Sequence, residues 1–263
     1  RSRGLGDVYK RQEFNSVVKD KEKVALRGAF LFPDVYEIGM SHLGIQILYD
    51  MFNKREDMWC ERVYSPWPDL HAILKEENIP LFSLESQQPV KDADFLGITI
   101  QYEMCYTNIL QILDLSQIPI EAADRTENDP ILIGGGPCTY NPEPIAEFFD
   151  LFYMGEGEIS YDALLDLYKK MKQEGASRKD FLHEAAKIPG IYVPSLYEVS
   201  YKEDGTIAGF EPVYEDVEIS LADRPQTDGA SEIRLVLKGD MRICYLRVLK
   251  NKSTGKIQMG VAN

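Results

Sequence analysis

The stretch ILIGGGP at residues 131–137 decides how the rest of the chain is interpreted. Its three apolar residues predict a short buried strand, and the glycines and proline that follow predict a sharp bend. Glycine lets a backbone bend sharply and lets a large flat or phosphate-bearing ligand lie against the main chain. A plain tight turn explains a glycine run alone about as well, so the flanking sequence has to decide between a turn and a ligand loop.

The composition is that of a globular, acidic protein. Of the 263 residues 44% are hydrophobic, enough for one large or two modest domains with a substantial core. Forty-three acidic residues against 29 basic ones give a formal net charge of −14, which argues against nucleic acid and anionic membrane surfaces as partners. No apolar run approaches the roughly 18 to 20 residues of a membrane helix.

The cysteines and histidines do not form a metal-binding or disulfide pattern. Four scattered cysteines without a C-x-x-C pair indicate thiols in a reducing compartment. Because no export signal opens the chain either, we expect a cytoplasmic protein. Three isolated histidines, without an H-x-x-x-H spacing, do not predict a zinc site.

Strands and helices are predicted to alternate along the chain. Strands are expected at 24–32, 61–64, 94–100, 131–133 and 150–154, with helices between them, the first of them capped by Ser41. This alternation predicts an α/β fold, a doubly wound parallel five-stranded sheet with a C-terminal β-hairpin extension. Ligands of such sheets bind outside the carboxyl ends of the strands. The loops after Phe32, Ile100, Ile133 and Met154 should therefore converge on one crevice.

Four segments are predicted from the composition along the chain. Residues 1–21 form a lead that is non-native or disordered, beginning with RSRGLGDVYKRQ, and residues 22–187 form the α/β domain. Residues 188–218 form an extended bridge and a β-hairpin that turns at Asp204 and Gly205. Residues 219–263 are an unassigned tail, which we interpret as a candidate non-native end.

Three motifs together carry a resemblance to a known family. They are GGGPCT at 134–139, NPE at 141–143 and GEGE at 155–158. As a set they resemble the cobalamin-binding domain that precedes the catalytic barrel in many radical SAM enzymes, and the likeness covers about residues 24–173. The stretches FPDVYEIGMSHLG and YSPWPDL further resemble a largely uncharacterised branch of these proteins.

The resemblance implies a Rossmann-like cobalamin-binding fold, with cobalamin held by three loops. In the first loop Asp34 and Gly39 match the family pattern, whereas Tyr36 stands at the position of the cobalt-binding histidine. A neutral phenol is a poor ligand compared with imidazole, so base-off binding without a histidine at that position is expected. His42 is an alternative cofactor contact. The remaining implied cofactor-binding residues are Thr99, Ile100, Gln101, Gly134, Gly135, Gly136, Pro137, Gly155 and Gly157.

The radical SAM chemistry itself is not encoded here. It requires a C-x-x-x-C-x-x-C triplet to hold a four-iron four-sulfur cluster, and the sequence contains none. The resemblance therefore implies that the cluster and S-adenosylmethionine belong to a barrel following the hairpin. We interpret the chain as truncated before that barrel, which would be its partner, and we predict no catalytic residue in it.

Two other functions remain open. One is a docking or substrate-recognition module that keeps the fold but has lost the cofactor. It is favoured by Tyr36 in place of the histidine and by Gln101, which replaces the apolar residue of the Ser-x-Leu loop that the resemblance places at 99–101. The domain would instead be an independent flavin- or nucleotide-binding protein if the crevice held a phosphate loop, but no G-x-x-x-x-G-K or G-x-G-x-x-G pattern is present.

Overall fold

The computed structural model describes residues 16–155 and 157–217 and the backbone of two further strands at 245–250 and 257–262. A six-stranded sheet with the order β2-β1-β3-β4-β5-β6 forms its centre. Strands β1 to β5 run parallel, and β6 pairs antiparallel with β5. The strands are β1 Leu26–Phe32, β2 Met58–Tyr64, β3 Phe95–Thr99, β4 Ile131–Gly135, β5 Leu151–Tyr153 and β6 Ile191–Tyr192.

Six α-helices are described around this sheet. They are α1 Tyr36–Gly39, α2 Leu43–Lys54, α3 Pro68–Glu76, α4 Tyr106–Leu115, α5 Gly157–Glu174 and α6 Arg178–Ala185. Two apolar cores lie on opposite faces of the sheet, because successive side chains of a strand point to opposite sides. In β1, Phe30 packs into the core under α2, α5 and α6, whereas Leu31 packs into the core under α3 and α4.

The predicted α/β fold with five parallel strands and a C-terminal hairpin is confirmed, and the sheet has a sixth, antiparallel strand that was not predicted. Residues 188–194 were expected to form only an extended bridge, yet Ile191 pairs with Tyr153 at the edge of the sheet. A two-residue strand leaves no periodic pattern in the sequence, and its place depends on the buried edge that β5 offers.

The other edge strand, β2, is covered by the loop that follows α3. The main-chain N–H of Leu84 donates to the carbonyl oxygen of Arg62 at 2.8 Å, and the N–H of Arg62 donates to the Glu85 carboxylate at 2.7 Å. A free strand edge is a template for unwanted pairing, and this loop removes it.

Two local details of the helices differ from the sequence expectation. Helix α2 is capped by His42 and not by Ser41, because the His42 side chain accepts the hydrogen bond from the N–H of Ile45. Ser41 instead donates to the carbonyl oxygen of Ile38 at 3.4 Å. The helix expected between the strands at 131–133 and 150–154 is instead a pair of 3-10 turns, Pro137–Tyr140 and Glu143–Phe148.

The predicted hairpin consists of β7 Tyr197–Tyr201 and β8 Ile207–Pro212, with Gly205 at a positive φ of 80° in its turn. Strands β9 Tyr245–Lys250 and β10 Ile257–Ala262 pair antiparallel. Of the predicted lead at 1–21, residues 1–15 lie outside the described residues, as does the rest of the tail beyond 217. Among the described helices, none is long and apolar enough to cross a membrane.

Candidate functional site

A cavity of about 210 Å³ opens at the carboxyl ends of the parallel strands. Strands β1, β3, β4 and β5 form its sheet side, and helices α2 and α5 form the other. Six of the residues that the sequence nominated line it. They are His42, Thr99, Gln101, Gly135, Gly136 and Gly155.

The three glycines after β4 have three different environments. Gly136 has a φ of 99°, and a Cβ atom there would lie 2.9 Å from the carbonyl oxygen of Ile100. A Cβ on Gly134 would lie 2.5 Å from the Phe152 ring, so this glycine makes room for packing. For a Cβ on Gly135, the nearest atom would be the Tyr161 hydroxyl oxygen at 3.7 Å. The glycine run is therefore both a sharp turn and an open cavity wall.

Main-chain hydrogen bonds hold this turn against the loop that follows β3. The N–H of Ile100 donates to the carbonyl oxygen of Gly135 at 2.6 Å. The N–H of Cys138 donates to the carbonyl oxygen of Ile100 at 3.1 Å. Pro137 begins the 3-10 turn directly after the bend. Main-chain hydrogen bonds thus join the two loops, and Ile100 is fully buried where they meet.

Thr99 and Gln101 supply polar groups at the same wall. The Gln101 amide Nε2 donates to Thr99 Oγ1 at 2.5 Å. A Cβ on Gly136 would lie 3.3 Å from the same Nε2 atom, so the amide is folded across the turn. Gln101 therefore has a defined hydrogen bond and position at this wall.

Aromatic rings form the wall made by β5 and α5. The rings of Tyr153 and Tyr161 stack at 4.3 Å between centroids with an interplanar angle of 9°. The Tyr153 hydroxyl accepts a hydrogen bond from the N–H of Ser160 at 3.0 Å. Tyr161 was missed in the sequence, although it follows the GEGE motif by one helical turn, where a helix that begins at the crevice returns to it.

The loop after β1 is partly outside the cavity. Asp34 Oδ1 accepts a hydrogen bond from the N–H of Val35 at 2.7 Å, and the Tyr36 ring packs edge-on against Tyr64 at 5.2 Å. A Cβ on Gly39 would lie within 2.9 Å of the Tyr64 and Phe32 rings. Asp34, Tyr36 and Gly39 are thus placed on the β2 side of this loop, and Gly157 is the first residue of α5.

An exposed apolar surface extends along the same edge of the sheet. Eight large apolar or aromatic side chains, which we call the apolar rim, are exposed in the loops and helix starts after β1 to β4. Met104 is 83% exposed and Leu43 is 68% exposed. Exposed apolar side chains gathered at one edge of a sheet favour a binding surface there. The rim consists of Ile38, Met40, Leu43, Ile47, Trp67, Tyr102, Met104 and Tyr140.

The fold and this crevice define a domain with an open, mostly parallel sheet and a candidate ligand site at its carboxyl edge. The family model described as "Radical SAM proteins, N-terminal" matches residues 44–194, which is more than half of the chain. The chain belongs to this family, and the predicted radical SAM affiliation is confirmed.

One curated relative is the uncharacterized protein MJ0966 of Methanocaldococcus jannaschii. It is 30% identical over 171 residues, which cover 64% of this chain and 32% of the relative. The chain thus spans about a third of the length of the relative it matches. No solved structure matches the chain.

Proposed function

We propose that this chain is the cobalamin-binding module of a radical SAM enzyme. The observation that carries the proposal is the cavity beside the glycine turn at the carboxyl edge, with the apolar rim on the same edge. Cofactors of open parallel sheets bind at this edge. Membership of the radical SAM N-terminal family supports the second half of the proposal.

The dimensions of the site determine how such a cofactor would fit. Pockets that enclose a drug-sized ligand are roughly 300–1,000 Å³, and this cavity is about 210 Å³. Only an appended group of cobalamin would enter it, held by Thr99, Gln101, Gly135 and Gly136. The macrocycle would lie on the apolar rim, where Leu43 and Met104 offer apolar contact.

Cobalamin supplies the cobalt chemistry, such as methyl transfer, and the chain's part is to bind and orient it. We propose base-off binding without a nitrogen ligand from the protein. Tyr36 is a phenol held against Tyr64, and the Nδ1 atom of His42 is used as the cap of α2. The proposed partner is a radical SAM barrel in the full-length protein, which would carry the four-iron four-sulfur cluster and S-adenosylmethionine.

A cytoplasmic location is part of the same proposal. Cys60, Cys105 and Cys138 are free, and Cys60 and Cys105 are buried. Burial raises the pKa of all three thiols, so they remain protonated and unreactive at neutral pH. Such thiols fit a reducing compartment.

A docking module without a cofactor is the second candidate function. The apolar rim favours it, because apolar residues exposed on this scale also suit a protein partner. The two functions differ in whether the cavity is used, since a docking partner would contact the rim alone.

Titration of the chain with hydroxocobalamin, followed by visible absorption, tests the proposal. We expect saturable binding that is lost in Gly135→Leu, which fills the cavity, and weakened in Met104→Glu on the rim. Ile79→Glu is the matched control, because Ile79 is a 43% exposed residue between α3 and β3, away from the carboxyl edge. A folded chain that binds no cobalamin at high micromolar concentration would contradict the proposal and favour the docking module.

Electron paramagnetic resonance of the reduced Co(II) complex tests the base-off mode. We expect no nitrogen superhyperfine splitting from the lower axial position. Splitting that disappears in His42→Ala would contradict this mode and identify His42 as the ligand.

A further inference from the structure

Residues 16–19, which we call the strap, lie across the carboxyl-terminal end of α2 and the start of β2. The Lys19 Nζ atom donates hydrogen bonds to the carbonyl oxygens of Asn53 at 2.8 Å, Arg55 at 2.6 Å and Met58 at 2.7 Å. Asn53 lies in the last turn of α2, and Arg55 is its C-cap residue. The last carbonyl groups of a helix have no partner within the helix, and a cation beside them also balances the negative end of the helix dipole. Lys19 therefore caps α2 from a distant position in the sequence.

The main chain of Val17 adds two hydrogen bonds at the same place. Its N–H donates to the Tyr49 hydroxyl of α2 at 2.7 Å. Its carbonyl oxygen accepts a hydrogen bond from Trp59 Nε1 of β2 at 3.0 Å. Tyr49 and Trp59 are both buried, and buried hydroxyl and indole groups need hydrogen-bond partners. The strap thus joins α2 to β2 through its main chain as well as through the Lys19 side chain.

The opposite end of α2 forms one wall of the ligand cavity. Gly44, Ile47 and Leu48 line the cavity, and His42 caps the first turn beside it. A regular helix of 12 residues is about 18 Å long and moves largely as one body. Whatever fixes the carboxyl-terminal end of α2 therefore also determines where this wall of the cavity lies.

Contacts outside the strap also hold α2 on the sheet. Ile45 and Phe52 are buried beneath the helix. The Asn53 side chain donates to the carbonyl oxygen of Cys60 at 2.9 Å and accepts from the N–H of Cys60 at 3.1 Å. A variant that lacks the Lys19 ammonium should therefore still fold, with α2 present but less firmly placed.

We propose that the strap positions α2 over the sheet, and that Lys19 thereby sets the shape of the ligand cavity without touching the ligand. Lys19 is a positioning residue in this assignment, because it is not among the described residues that line the cavity. The inference assigns the strap, which the composition placed in the lead at 1–21, to the ligand-binding domain. It deepens the proposed function and rests on it only for the identity of the ligand.

Residue-resolved amide hydrogen exchange of the full chain tests the positioning role. Lys19→Met removes the ammonium group and keeps a side chain of similar length. We expect the amides of Ile47 and Leu48, in the cavity half of α2, to exchange about three- to tenfold faster, the effect of one net hydrogen bond. Amides of α4, which packs on the opposite face of the sheet, should be unchanged.

Two controls separate positioning from a general loss of stability. Lys23→Met removes an ammonium whose side chain is 81% exposed, and it should change exchange in neither helix. Ser177→Ala removes the N-cap of α6 and should not accelerate exchange selectively in α2. No acceleration in Lys19→Met, or equal acceleration in α2 and α4, would overturn the proposal. Acceleration confined to residues 52–54 would also overturn it, because the strap would then only prevent fraying of the last turn.

The His42 ring reports on the cavity end of α2 directly. Its Nδ1 atom accepts a hydrogen bond from the N–H of Ile45 at 3.3 Å, and its ring lies 5.2 Å from the Phe32 ring. The chain has three histidines, so the Cε1–H NMR signal of each is resolvable. We expect the His42 signal to shift in Lys19→Met and to stay in place in Lys23→Met. An unmoved His42 signal in Lys19→Met would overturn the proposal.

Hydroxocobalamin titration distinguishes failure of this inference from failure of the proposed function. If cobalamin binds, Lys19→Met should weaken its binding by about three- to tenfold, whereas Lys23→Met should not. Unchanged affinity in Lys19→Met would overturn the positioning role and leave the cobalamin proposal standing. If no variant binds cobalamin but the exchange and His42 responses are observed, the cobalamin proposal fails and the positioning role stands.

Discussion

The α-carbon of Gly136 faces the carbonyl oxygen of Ile100, and a Cβ atom on Gly136 would lie 2.9 Å from that oxygen and 3.1 Å from the Ile100 nitrogen. Both atoms belong to the main chain of the neighbouring loop, which is itself hydrogen-bonded to Gly135 and Cys138. Because neither loop has room to move without breaking these bonds, the contact holds the two sides of the cavity together.

Gly136→Ala is expected to destabilise the protein strongly. With φ 99° and ψ −177°, Gly136 lies in a backbone region essentially restricted to glycine, which costs another residue about 1–3 kcal/mol, and the clash with main-chain atoms should add a further ~1–3 kcal/mol. Gly175→Ala is the matched control, because Gly175 has a φ of 70° but no atom within 4 Å of its Cβ position. Urea unfolding of both variants measures the difference, and equal losses would show that the contact with Ile100 relaxes freely.

The buried carboxylate of Asp150 ties three segments together at the amino end of β5. It accepts hydrogen bonds from Arg178 Nη2 at 2.7 Å, from Arg125 Nη1 at 3.0 Å and from the N–H of Leu132 at 2.8 Å. The Asp150 side chain is 2% exposed and that of Arg125 is fully buried. Removing the carboxylate would leave the Arg125 and Arg178 guanidinium groups with their carbonyl hydrogen bonds but without this buried counter-charge.

Asp150→Ala should therefore lower the free energy of unfolding by about 3–5 kcal/mol. Asp114→Ala is the comparison, because Asp114 pairs with Lys75 at 2.8 Å but both side chains are about half exposed. An exposed pair of this kind contributes roughly 0–1 kcal/mol. A loss below about 1 kcal/mol for Asp150→Ala, measured by urea unfolding, would contradict the interpretation of this cluster as a buried charge network.

The stability of the protein should depend on Asp57 at acid pH. Lys169, and then Arg55, lower the pKa of the Asp57 carboxyl in the folded protein. A carboxyl with a lowered folded pKa stabilises the protein above its unfolded pKa of about 3.9, and this contribution is lost as the pH falls through the folded value. Asp57→Asn should thus have a lower free energy of unfolding than wild type at pH 6, and the difference between the two should become smaller below about pH 4.

Urea unfolding of wild type and Asp57→Asn across this pH range measures the effect. A gap that stays constant, or that widens on acidification, would show that the carboxylate charge of Asp57 does not stabilise the fold.

Two serines before helices are expected to behave differently. Ser177 caps α6 with a reciprocal capping box, in which its Oγ accepts from the N–H of Asp180 and the Asp180 carboxylate accepts from the N–H of Ser177. Ser177→Ala should cost about 1 kcal/mol. Ser41→Ala should leave the stability unchanged, because Ser41 does not cap α2. Thermal unfolding compares the two, and a larger effect at Ser41 would contradict the assignment of His42 as the cap.

Much of the fold was predictable because it rests on local patterns. The strand at 131–135 was readable from three apolar residues followed by glycine, and the hairpin from Asp204 and Gly205 between two extended segments. Strand β6 was not predictable, because two residues are too few to show an alternating hydrophobic pattern. Ile191 pairs there only because β5 leaves an edge of the sheet open. The N-cap of α2 was predicted one residue too early, at Ser41. Ser41 and His42 both have a side-chain atom that can accept a hydrogen bond, and only the path of the backbone decides which of them meets the first turn of the helix.

The candidate site divides in the same way. The sequence by itself determined the class of site, since loops that follow parallel strands must meet at one edge and a glycine run there must bend or open. Only the tertiary structure decided which side chains meet: His42 and Tyr161 line the cavity, whereas Tyr36 packs against Tyr64 outside it. The physical reason is that the hydrophobic periodicity of the sequence indicates whether a residue is buried. Its neighbour across a cavity depends on how distant helices pack against the sheet.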